Sequence, residues 1–237
     1  MQIGLGQNLV TTRGWAQLPI PVYGLNSRRF VASNPDYVTL ANEGNFDFAA
    51  TDPFSVSLWF RIATDGGIMV SKMTPVIGGV GWEIFGNPAG LSFLEKNTNS
   101  NIDQVIVATD YTDNAWHHLV AISDGSAVPA NLALWVDGAD ASATVFADTL
   151  DGNSILNDTA VKLGTNGVSV FNGLLADLRI HNVALNPSEV ATLFGEGSVK
   201  RGRVAWLPLG ADLLDYSGNL NHGTATGTTP STDGPFD

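Results

Sequence analysis

Alternation of apolar and polar residues is clearest in two neighbouring stretches near the middle of the chain, 116–123 and 131–136. The first reads WHHLVAIS and is followed by Asp124-Gly125; the second reads NLALWV and is followed by Asp137-Gly138. Period-two alternation places successive side chains on opposite faces of a strand, and Asp-Gly tolerates the positive φ of a tight turn. The two stretches therefore predict a hairpin of antiparallel strands whose apolar face is buried against a second sheet.

The same period recurs on both sides of this hairpin. Residues 54–62, FSVSLWFRI, show the most regular alternation of the chain, and Gly66-Gly67 is expected to turn the chain after them. Further strands are predicted at 29–33, 36–41, 68–73, 81–86, 90–96, 102–109, 144–146, 161–163, 170–180 and 200–209, the last of these being the final strand. Short strands at regular spacing predict an antiparallel sandwich or barrel.

One helix is predicted, at 187–194. Asn186 supplies an Asx cap, Pro187 occupies the first helical position, and Glu189 places a carboxylate at the third. Gly195 marks the end of the helix, which should make about two turns.

The two ends of the chain lack sustained alternation. Residues 1–28 combine prolines and glycines with Trp15, which predicts an extended N-terminal arm. Residues 29–209 are predicted to form one domain, and 210–237, rich in turn-forming residues, an irregular C-terminal tail. Both ends carry apolar side chains that water would penalise, so we expect them to contact neighbouring subunits. The alternative is that they wrap their own sandwich and close its edge strands.

Charge and composition exclude several classes of partner. The 237 residues include 23 acidic and 11 basic side chains, and the resulting net charge of −12 repels nucleic acid. No apolar run approaches the ~18 residues of a membrane span. Because residues 1–4 lack the features of a secretory signal, we expect that the chain stays where it is made or that its leader is missing. With no cysteine there is no disulfide framework, which leaves the compartment open.

Four segments occur in the order and at the spacing of the laminin G-like, or concanavalin A-like, jelly roll. They are NPDYVTL with DPFSVSLWFRI, NAWHHLVAISDG, LALWVDG and FNGLLADLRIHNVALNPSEVATLF, and the sequence resembles that family over residues 29–195. Residues 204–224 resemble a segment that commonly precedes such domains, yet here they follow it. The resemblance implies an all-β, two-sheet antiparallel jelly-roll sandwich with one short helix and extended terminal segments.

That family includes lectins, adhesion modules, glycosidases and virion proteins, so its fold does not select a function. A glycosidase needs two carboxylates placed on one face for acid and nucleophile or base. The chain has five glutamates, and none has a second acid two or four positions away in the same strand: Glu43, Glu83, Glu95, Glu189 and Glu196. No G-x-S-x-G elbow occurs either. The sequence therefore predicts that the protein is not an enzyme.

The histidines and the loop acids are the residues of this chain that could bind a metal. His117 and His118 are adjacent in one predicted strand, where they face opposite sides and cannot ligate one metal together. The family resemblance implies Ca²⁺ as a possible cofactor, bound by loop carboxylates and carbonyls. The acids considered are Asp177, Asp110, Asp113 and Asp151. Because EF-hand spacing is absent and acidic loops of such a chain are ordinarily solvated, no metal ligands are assigned.

Four tryptophans are candidates for contact with a glycan or a neighbouring subunit: Trp15, Trp59, Trp82 and Trp135. An exposed flat ring offers a platform to a sugar face at a small loss of entropy. Trp59 and Trp135 alternate with the apolar residues of their strands, so they could instead fill a second layer or cover an arm.

An adhesion fold without a secretion signal is typical of phage proteins, which are made in the host cytoplasm and released by lysis. The leading hypothesis is therefore a non-enzymatic structural protein of a bacteriophage virion, either a capsid decoration or a tail-associated component. Its partners would be other virion proteins and copies of itself in a homo-oligomer, with possible adhesion to host-surface glycans. The alternative is a secreted or surface carbohydrate-binding or adhesion module, which would be extracellular.

Overall fold

The computed structural model describes residues 27–34, 36–76, 79–97, 101–126, 132–151 and 154–236. Within these ranges the chain forms fifteen β-strands, a 3-10 turn at Glu43–Phe46 and the helix α1 at Pro187–Phe194. The strands are β1 Ser27–Phe30, β2 Tyr37–Leu40, β3 Phe54–Met73, β4 Gly81–Asn87, β5 Gly90–Lys96, β6 Ile102–Val107, β7 His117–Ser123, β8 Leu132–Val136, β9 Ala139–Asp140, β10 Thr144–Asp148, β11 Lys162–Leu163, β12 Asn172–His181, β13 Arg203–Leu207, β14 Gly223–Thr226 and β15 Thr229–Ser231.

The strands form two antiparallel layers that share β3. Sheet I has the order β15-β1-β12-β3-β7-β8-β9, with β13 pairing the second half of β12 beside β1. Sheet II has the order β10-β6-β5-β4-β3-β11-β2-β14. This confirms the predicted all-β sandwich with antiparallel sheets and one short α-helix.

The expected turn at Gly66-Gly67 is wrong, because β3 runs without interruption from sheet I into sheet II. Residues 55–66 pair with β12, and residues 67–73 pair with β4. Gly66 and Gly67 have φ of 66° and 127°, and a Cβ on Gly67 would lie 1.9 Å from the carbonyl oxygen of Val170. The glycines thus allow a bend and a close approach within one strand rather than a reversal of direction.

The space between the sheets is filled by the apolar face that the alternation predicted. Phe54, Val56, Leu58 and Phe60 of β3 are all fully buried in this core. Fully burying an aliphatic or aromatic side chain contributes about 1.5–3 kcal/mol, so this one strand contributes substantially to the stability of the sandwich.

The predicted central hairpin is confirmed as β7 and β8, which pair from Leu119 with Val136 to Ser123 with Leu132. Asp137 and Gly138 have φ of 51° and 78° and form the turn from β8 to β9. Positive φ at both central residues is the requirement of a type I′ turn, which Asp-Gly meets.

Helix α1 is confirmed at its predicted bounds. The side chain of Asn186 accepts a hydrogen bond from the backbone N–H of Glu189 at 3.1 Å, and the Glu189 carboxylate accepts one from the N–H of Asn186 at 2.9 Å. Val190 and Leu193 of the helix pack with Val120 on the face of sheet I that points away from the core. The outer face of sheet I is therefore partly covered by the chain itself.

The prediction of an irregular C-terminal tail is corrected by two short strands within residues 210–236. β14 pairs with β2 and β15 pairs with β1, so this segment closes one edge of each sheet. Leu213 packs against the core, and the ring of Phe236 contacts the ring of Trp59. Strands of three or four residues rich in threonine give no alternation to detect, and their partners are distant in sequence.

This part of the tail follows the alternative in which it wraps its own sandwich rather than a neighbouring subunit. The N-terminal arm lies outside the described residues, except for Ser27 and Arg28, which belong to β1. The predicted homo-oligomer stays a prediction. In the described part of the chain, no helix has the length and apolarity needed to cross a membrane.

Candidate functional site

A polar cavity of about 230 Å³ opens at one end of the outer face of sheet I. We call it the arginine pocket, and its lining residues are Arg29, Arg61, Ala63, Thr64, Asn114, Asn172, Gly173, Leu174 and Asp233. Two of the chain's eleven basic side chains face this one cavity.

The register of three strands places the two arginines. Leu174 of β12 is the cross-strand partner of both Arg29 in β1 and Arg61 in β3. Directly paired residues present their side chains on the same face, and neighbouring strands are about 4.8 Å apart. The backbones of Arg29 and Arg61 are therefore about 10 Å apart, with Leu174 between them. Such a distance allows two long side chains to converge on one small ligand.

The guanidinium group of Arg61 is held by two neighbours. Its Nε donates to Oδ1 of Asn114 at 3.0 Å, and its Nη1 forms an ion pair with Oδ2 of Asp233. The other carboxylate oxygen of Asp233 accepts a hydrogen bond from Nε1 of Trp116 at 3.0 Å. Asp233 thus joins the tail to two residues at the pocket and brings the half-buried ring of Trp116 next to the cavity.

Three polar side chains of the pocket have no internal partner. The side chains of Arg29, Thr64 and Asn172 make no hydrogen bond or ion pair with any other described residue. Arg29 and Thr64 are exposed, and Asn172 is half-buried. Together they offer a guanidinium fork, a hydroxyl and an amide, which can bind hydroxyl and anionic oxygens of a ligand.

A second depression, which we call the asparagine groove, consists of two adjoining cavities of about 370 and 310 Å³ that share Asn45 and Asn182. Its other lining residues are Asp47, Phe48, Asp52, Pro53, Lys200, Gly202, Arg203, Val204 and Asn219.

Several polar groups of the asparagine groove are already engaged within the protein. Nδ2 of Asn45 donates to Asn221, and Asp47 forms an ion pair with Lys72 at 2.8 Å. The aromatic lining residue Phe48 is buried and stacks on Phe54, so its face is not open to a sugar. The groove is therefore a weaker candidate than the arginine pocket.

The tryptophans selected from the sequence lie elsewhere. Trp82 is 1% exposed and packs on Phe54 in the core, so it cannot contact a glycan in the folded protein. Trp59 is 7% exposed and is covered by Phe194 of α1 and Phe236 of the tail. Trp135 is half-buried beside the same helix. Trp15 lies outside the described residues.

Trp59 and Trp135 thus fill a second layer, one of the uses that their alternation allowed. The tryptophan that adjoins the pocket, Trp116, was missed because the sequence shows it only as the first residue of a core strand. Its position at the start of a strand, directly after a turn, could have indicated it, because a ring at the end of a strand can remain partly exposed to solvent.

The two central histidines lie on opposite faces, as predicted. His118 is buried with Nε2 at 2.9 Å from Oγ of Ser57, and burial lowers the pKa of His118 to about 4. His117 lies between the carboxylates of Asp113 and Asp137, at 3.2 and 2.8 Å. The two rings therefore do not form a shared metal site.

The acids considered for calcium are engaged by protein groups. Asp177 pairs with Arg179 at 2.7 Å and accepts from the Trp206 indole, while Asp110 accepts from Thr112. The side chains of Asn97 and Asn101 donate to Asp151, and Asp113 pairs with His117. The described ranges hold no group of three or more His, Asp or Glu arranged to bind a metal. Calcium stays a prediction with no ligands assigned.

A buried pair of acids joins two neighbouring strands, so alternation within a single strand does not predict it. Glu95 in β5 lies directly opposite Asp103 in β6, and their exposed fractions are 1% and 2%. Burial raises the pKa of Glu95 to about 7, opposed by a hydrogen bond with Ser123, and burial also raises the pKa of Asp103. Because both side chains are closed to solvent, this pair is not placed to act on a sugar substrate.

Comparison with known proteins adds a family and several relatives. A family model described as the concanavalin A-like lectin/glucanases superfamily matches residues 32–191. The chain is 27% identical over 179 residues to adhesion G-protein coupled receptor V1 of Danio rerio, and this alignment covers 71% of the chain and 3% of the receptor. It is 26% identical over 103 residues to the non-toxic nonhemagglutinin type A of Clostridium botulinum, covering 44% of the chain and 9% of that protein. The chain therefore spans less than a tenth of either relative.

Several solved structures share the fold at low sequence identity. A Bacteroides ovatus protein whose name proposes carbohydrate binding aligns with a TM-score of 0.61 at 15% identity, over 87% of this chain and 59% of its own. A heptameric pentraxin from Limulus polyphemus aligns with a TM-score of 0.61 at 12% identity, over 90% and 97% of the two chains. Botulinum neurotoxin type C, whose cell entry depends on two ganglioside molecules, aligns with a TM-score of 0.53 at 14% identity, over 76% and 44%.

Proposed function

The chain belongs to the concanavalin A-like lectin/glucanases superfamily, and we propose that it is a carbohydrate-binding module that catalyses no reaction. The observation that carries this proposal is the arginine pocket, where Arg29, Thr64 and Asn172 present unpartnered polar groups. Sugar hydroxyls need donors and acceptors at close spacing, and a small number of convergent polar groups is typical of a ligand site.

The apolar part of the pocket could contact the C–H face of a sugar ring. Ala63 lines it with an exposed methyl group, Leu174, which is 5% exposed, forms its floor, and the ring of Trp116 adjoins it through Asp233. The C–H face of a pyranose packs on such surfaces while its hydroxyls reach the polar groups around them. The glycan connections of the Bacteroides protein and of the neurotoxin agree with this proposal, but at 14–15% identity they establish only the fold.

The positions of the carboxylates support the proposal that the protein is not an enzyme. Glu95 and Asp103 form a cross-strand pair, but both are closed inside the sandwich. Asp233 is the acid that lines the arginine pocket, and its two oxygens are bound by Arg61 and Trp116. A glycosidase of either stereochemistry needs two accessible carboxylates around the bond that breaks.

A glycan array probed with the full chain, followed by calorimetric titration of the best ligand, tests the proposal. We expect Arg29→Ala to weaken binding at least tenfold. Because the side chain of Arg29 makes no hydrogen bond or ion pair with the other described residues, such a loss would come from contacts with the ligand. Lys162→Ala is the matched control, since it removes the same charge from sheet II, where the ammonium lies over the ring of Tyr37. Absence of any glycan ligand, or equal losses in both variants, would overturn the proposal.

We also propose that the protein is a component of a bacteriophage virion, which the exposed edge of sheet II favours. Among the strands that the structure describes, β10 pairs with β6 alone, and it exposes Val145 and Phe146, the latter to 67%. An exposed hydrophobic edge strand is commonly covered by another protein. In that setting the chain would be made in the host cytoplasm and bound to other virion proteins, whereas the alternative places it outside the cell.

Sedimentation of particles from a producing lysate distinguishes these settings. A virion component co-sediments with particles and withstands a salt wash, and Phe146→Ser reduces its retention. A chain that stays in the supernatant of particle-containing lysates would overturn the virion proposal and leave the carbohydrate proposal untouched.

A further inference from the structure

We propose that the arginine pocket selects glycans that carry a carboxylate, such as those ending in a sialic or uronic acid, because an unpaired Arg29 and a paired Arg61 flank Leu174 on one face of sheet I. This inference rests on the proposed carbohydrate-binding function and names the class of sugar. It also assigns to Asp233 a role in setting the affinity.

The charges that line the pocket favour an anion. Two arginines, Arg29 and Arg61, line the cavity together with a single carboxylate, that of Asp233. In a chain of net charge −12 a local surplus of positive charge is unusual. The acids nearest in sequence, Asp65 and Asp113, do not line the cavity, and Asp113 is bound by the N–H of Ala115 and by His117. The surplus charge therefore remains available to a ligand.

The geometry of Arg29 suits a carboxylate. Arginine presents a planar fork of N–H donors that binds two carboxylate oxygens in parallel, and such charge-assisted pairs are the stronger hydrogen bonds of proteins. Arg29 is held at its backbone by pairing with both β12 and β15, while its side chain is unengaged. It can therefore turn its guanidinium toward the cavity without breaking a contact of the fold.

Other residues of the pocket could bind the hydroxyl groups of an acidic sugar. Asn172 and Thr64 lie on the β12 and β3 sides of the cavity and offer an amide and a hydroxyl to ring hydroxyls. Leu174, between the two arginines, is only 5% exposed and forms the floor of the cavity. A carboxylate at Arg29 would thus bring the sugar ring over Leu174.

Asp233 already shows that a carboxylate fits beside Arg61. Its oxygens take one N–H of Arg61 and the indole N–H of Trp116, which leaves Arg29 for the ligand. Because two carboxylates in one small cavity repel each other, Asp233 lowers the affinity for an acidic sugar. Removing its charge should therefore favour the acid over a neutral sugar.

N-acetylneuraminic acid and its methyl ester provide matched probes, since the ester removes the charge of the carboxyl group and adds only one methyl. Titration of the full chain is expected to give at least tenfold tighter binding of the acid, and the advantage should fall as sodium chloride rises from 50 to 500 mM. Arg29→Ala should abolish the preference, and Arg29→Lys should retain part of it, because the charge remains but the fork is lost. Asp233→Asn should raise the ratio of acid affinity to ester affinity several-fold.

Glucuronic acid against its methyl ester, run in parallel, decides whether the carboxylate or the sialic acid skeleton is recognised. Equal binding of acid and ester would overturn this inference while leaving the carbohydrate-binding proposal in place. Loss of binding in Lys200→Ala but not in Arg29→Ala would move the site to the asparagine groove and also overturn it. Binding of sulfated sugars alone would show that the class is wrong, and binding of no sugar would overturn both proposals.

Discussion

The carboxylate of Asp233 in the C-terminal tail forms an ion pair with the guanidinium of Arg61 in β3, across 172 residues of sequence. The same carboxylate accepts a hydrogen bond from the indole of Trp116, and the backbone carbonyl of Asp233 accepts one from the hydroxyl of Ser27. One tail residue therefore joins the strand β1, the strand β3 and the start of β7 at the arginine pocket.

Neutralising this carboxylate should loosen the tail without unfolding the sandwich. Asp233→Asn keeps the shape of the side chain but removes the ion pair, and a partly exposed pair contributes at most about 1 kcal/mol. We expect a decrease of about 1 kcal/mol in the free energy of unfolding, measured by urea titration. Asp65→Asn is the control, because Asp65 is exposed and has no hydrogen bond or ion pair within the described ranges. An equal decrease in the control would contradict the role assigned to Asp233.

Glu95 should make the protein less stable as the pH rises from about 4.5 to about 7. The pKa of Glu95 is about 7 in the folded chain, chiefly because of burial, against an ordinary value of 4.5. Between these values the unfolded chain has lost the proton and the folded chain keeps it, so the free energy of unfolding falls with rising pH. Above pH 7 this contribution is constant.

Glu95→Gln removes that titration, so the variant should exceed the wild type in stability at pH 8 by on the order of 3 kcal/mol and match it near pH 4. Urea unfolding at several pH values measures the difference. Glu196→Gln serves as the control, because Glu196 is exposed and lies outside the core. A stability difference that does not change between pH 4 and pH 8 would show that Glu95 is not buried as described.

His118 should act in the opposite direction, at lower pH. Burial lowers the pKa of His118 to about 4 in the folded chain, against an ordinary value of 6.5. The unfolded chain takes up a proton as the pH falls below 6.5 while the folded chain does not, so stability is lost progressively down to about pH 4.

His118→Gln should reduce the dependence of unfolding free energy on pH between 6.5 and 4, even though it also loses packing against Trp59. The slope, rather than the absolute stability, is the quantity to compare. The pKa of His181 is likewise lowered to about 4 by burial, so His118→Gln with His181→Gln should flatten the slope further. An unchanged slope in the double variant would contradict the burial of both rings.

Gly67 should tolerate no side chain. A Cβ at this position would lie 1.9 Å from the carbonyl oxygen of Val170, and its φ of 127° is unfavourable for any other residue. We expect Gly67→Ala to lower the free energy of unfolding by more than ~3 kcal/mol or to prevent folding, as strain in the backbone adds to the clash. Circular dichroism and soluble yield measure the effect, and Gly44→Ala, whose Cβ would meet no atom closer than 3.8 Å, is the control.

Two kinds of feature were determined by the sequence alone. The hairpin of β7 and β8 follows from alternation and from Asp-Gly turns, and α1 follows from Asn186, Pro187 and Glu189. These signals are local, because period-two geometry and helix capping act between residues a few positions apart. They led to the correct fold class and to the correct bounds of the helix.

The site itself was decided only by the tertiary structure. Arg29 and Arg61 flank Leu174 because three strands from distant parts of the chain pair in a particular register, and no window of sequence contains all three. The passage of β3 through Gly66 and Gly67 into the second sheet has the same origin, since glycine permits a turn, a bend or a close approach, and only the neighbouring strands decide which.

Burial explains why Trp82 and Trp59 are not open to a glycan. Trp82 and Trp59 have the residue type of a sugar platform, but packing of Phe54, Phe194 and Phe236 against them closes their faces. Alternation identifies which side chains share a face of a strand, whereas the cover over that face comes from segments far away in the chain. Long-range packing therefore decided which polar and aromatic groups remain open to a ligand.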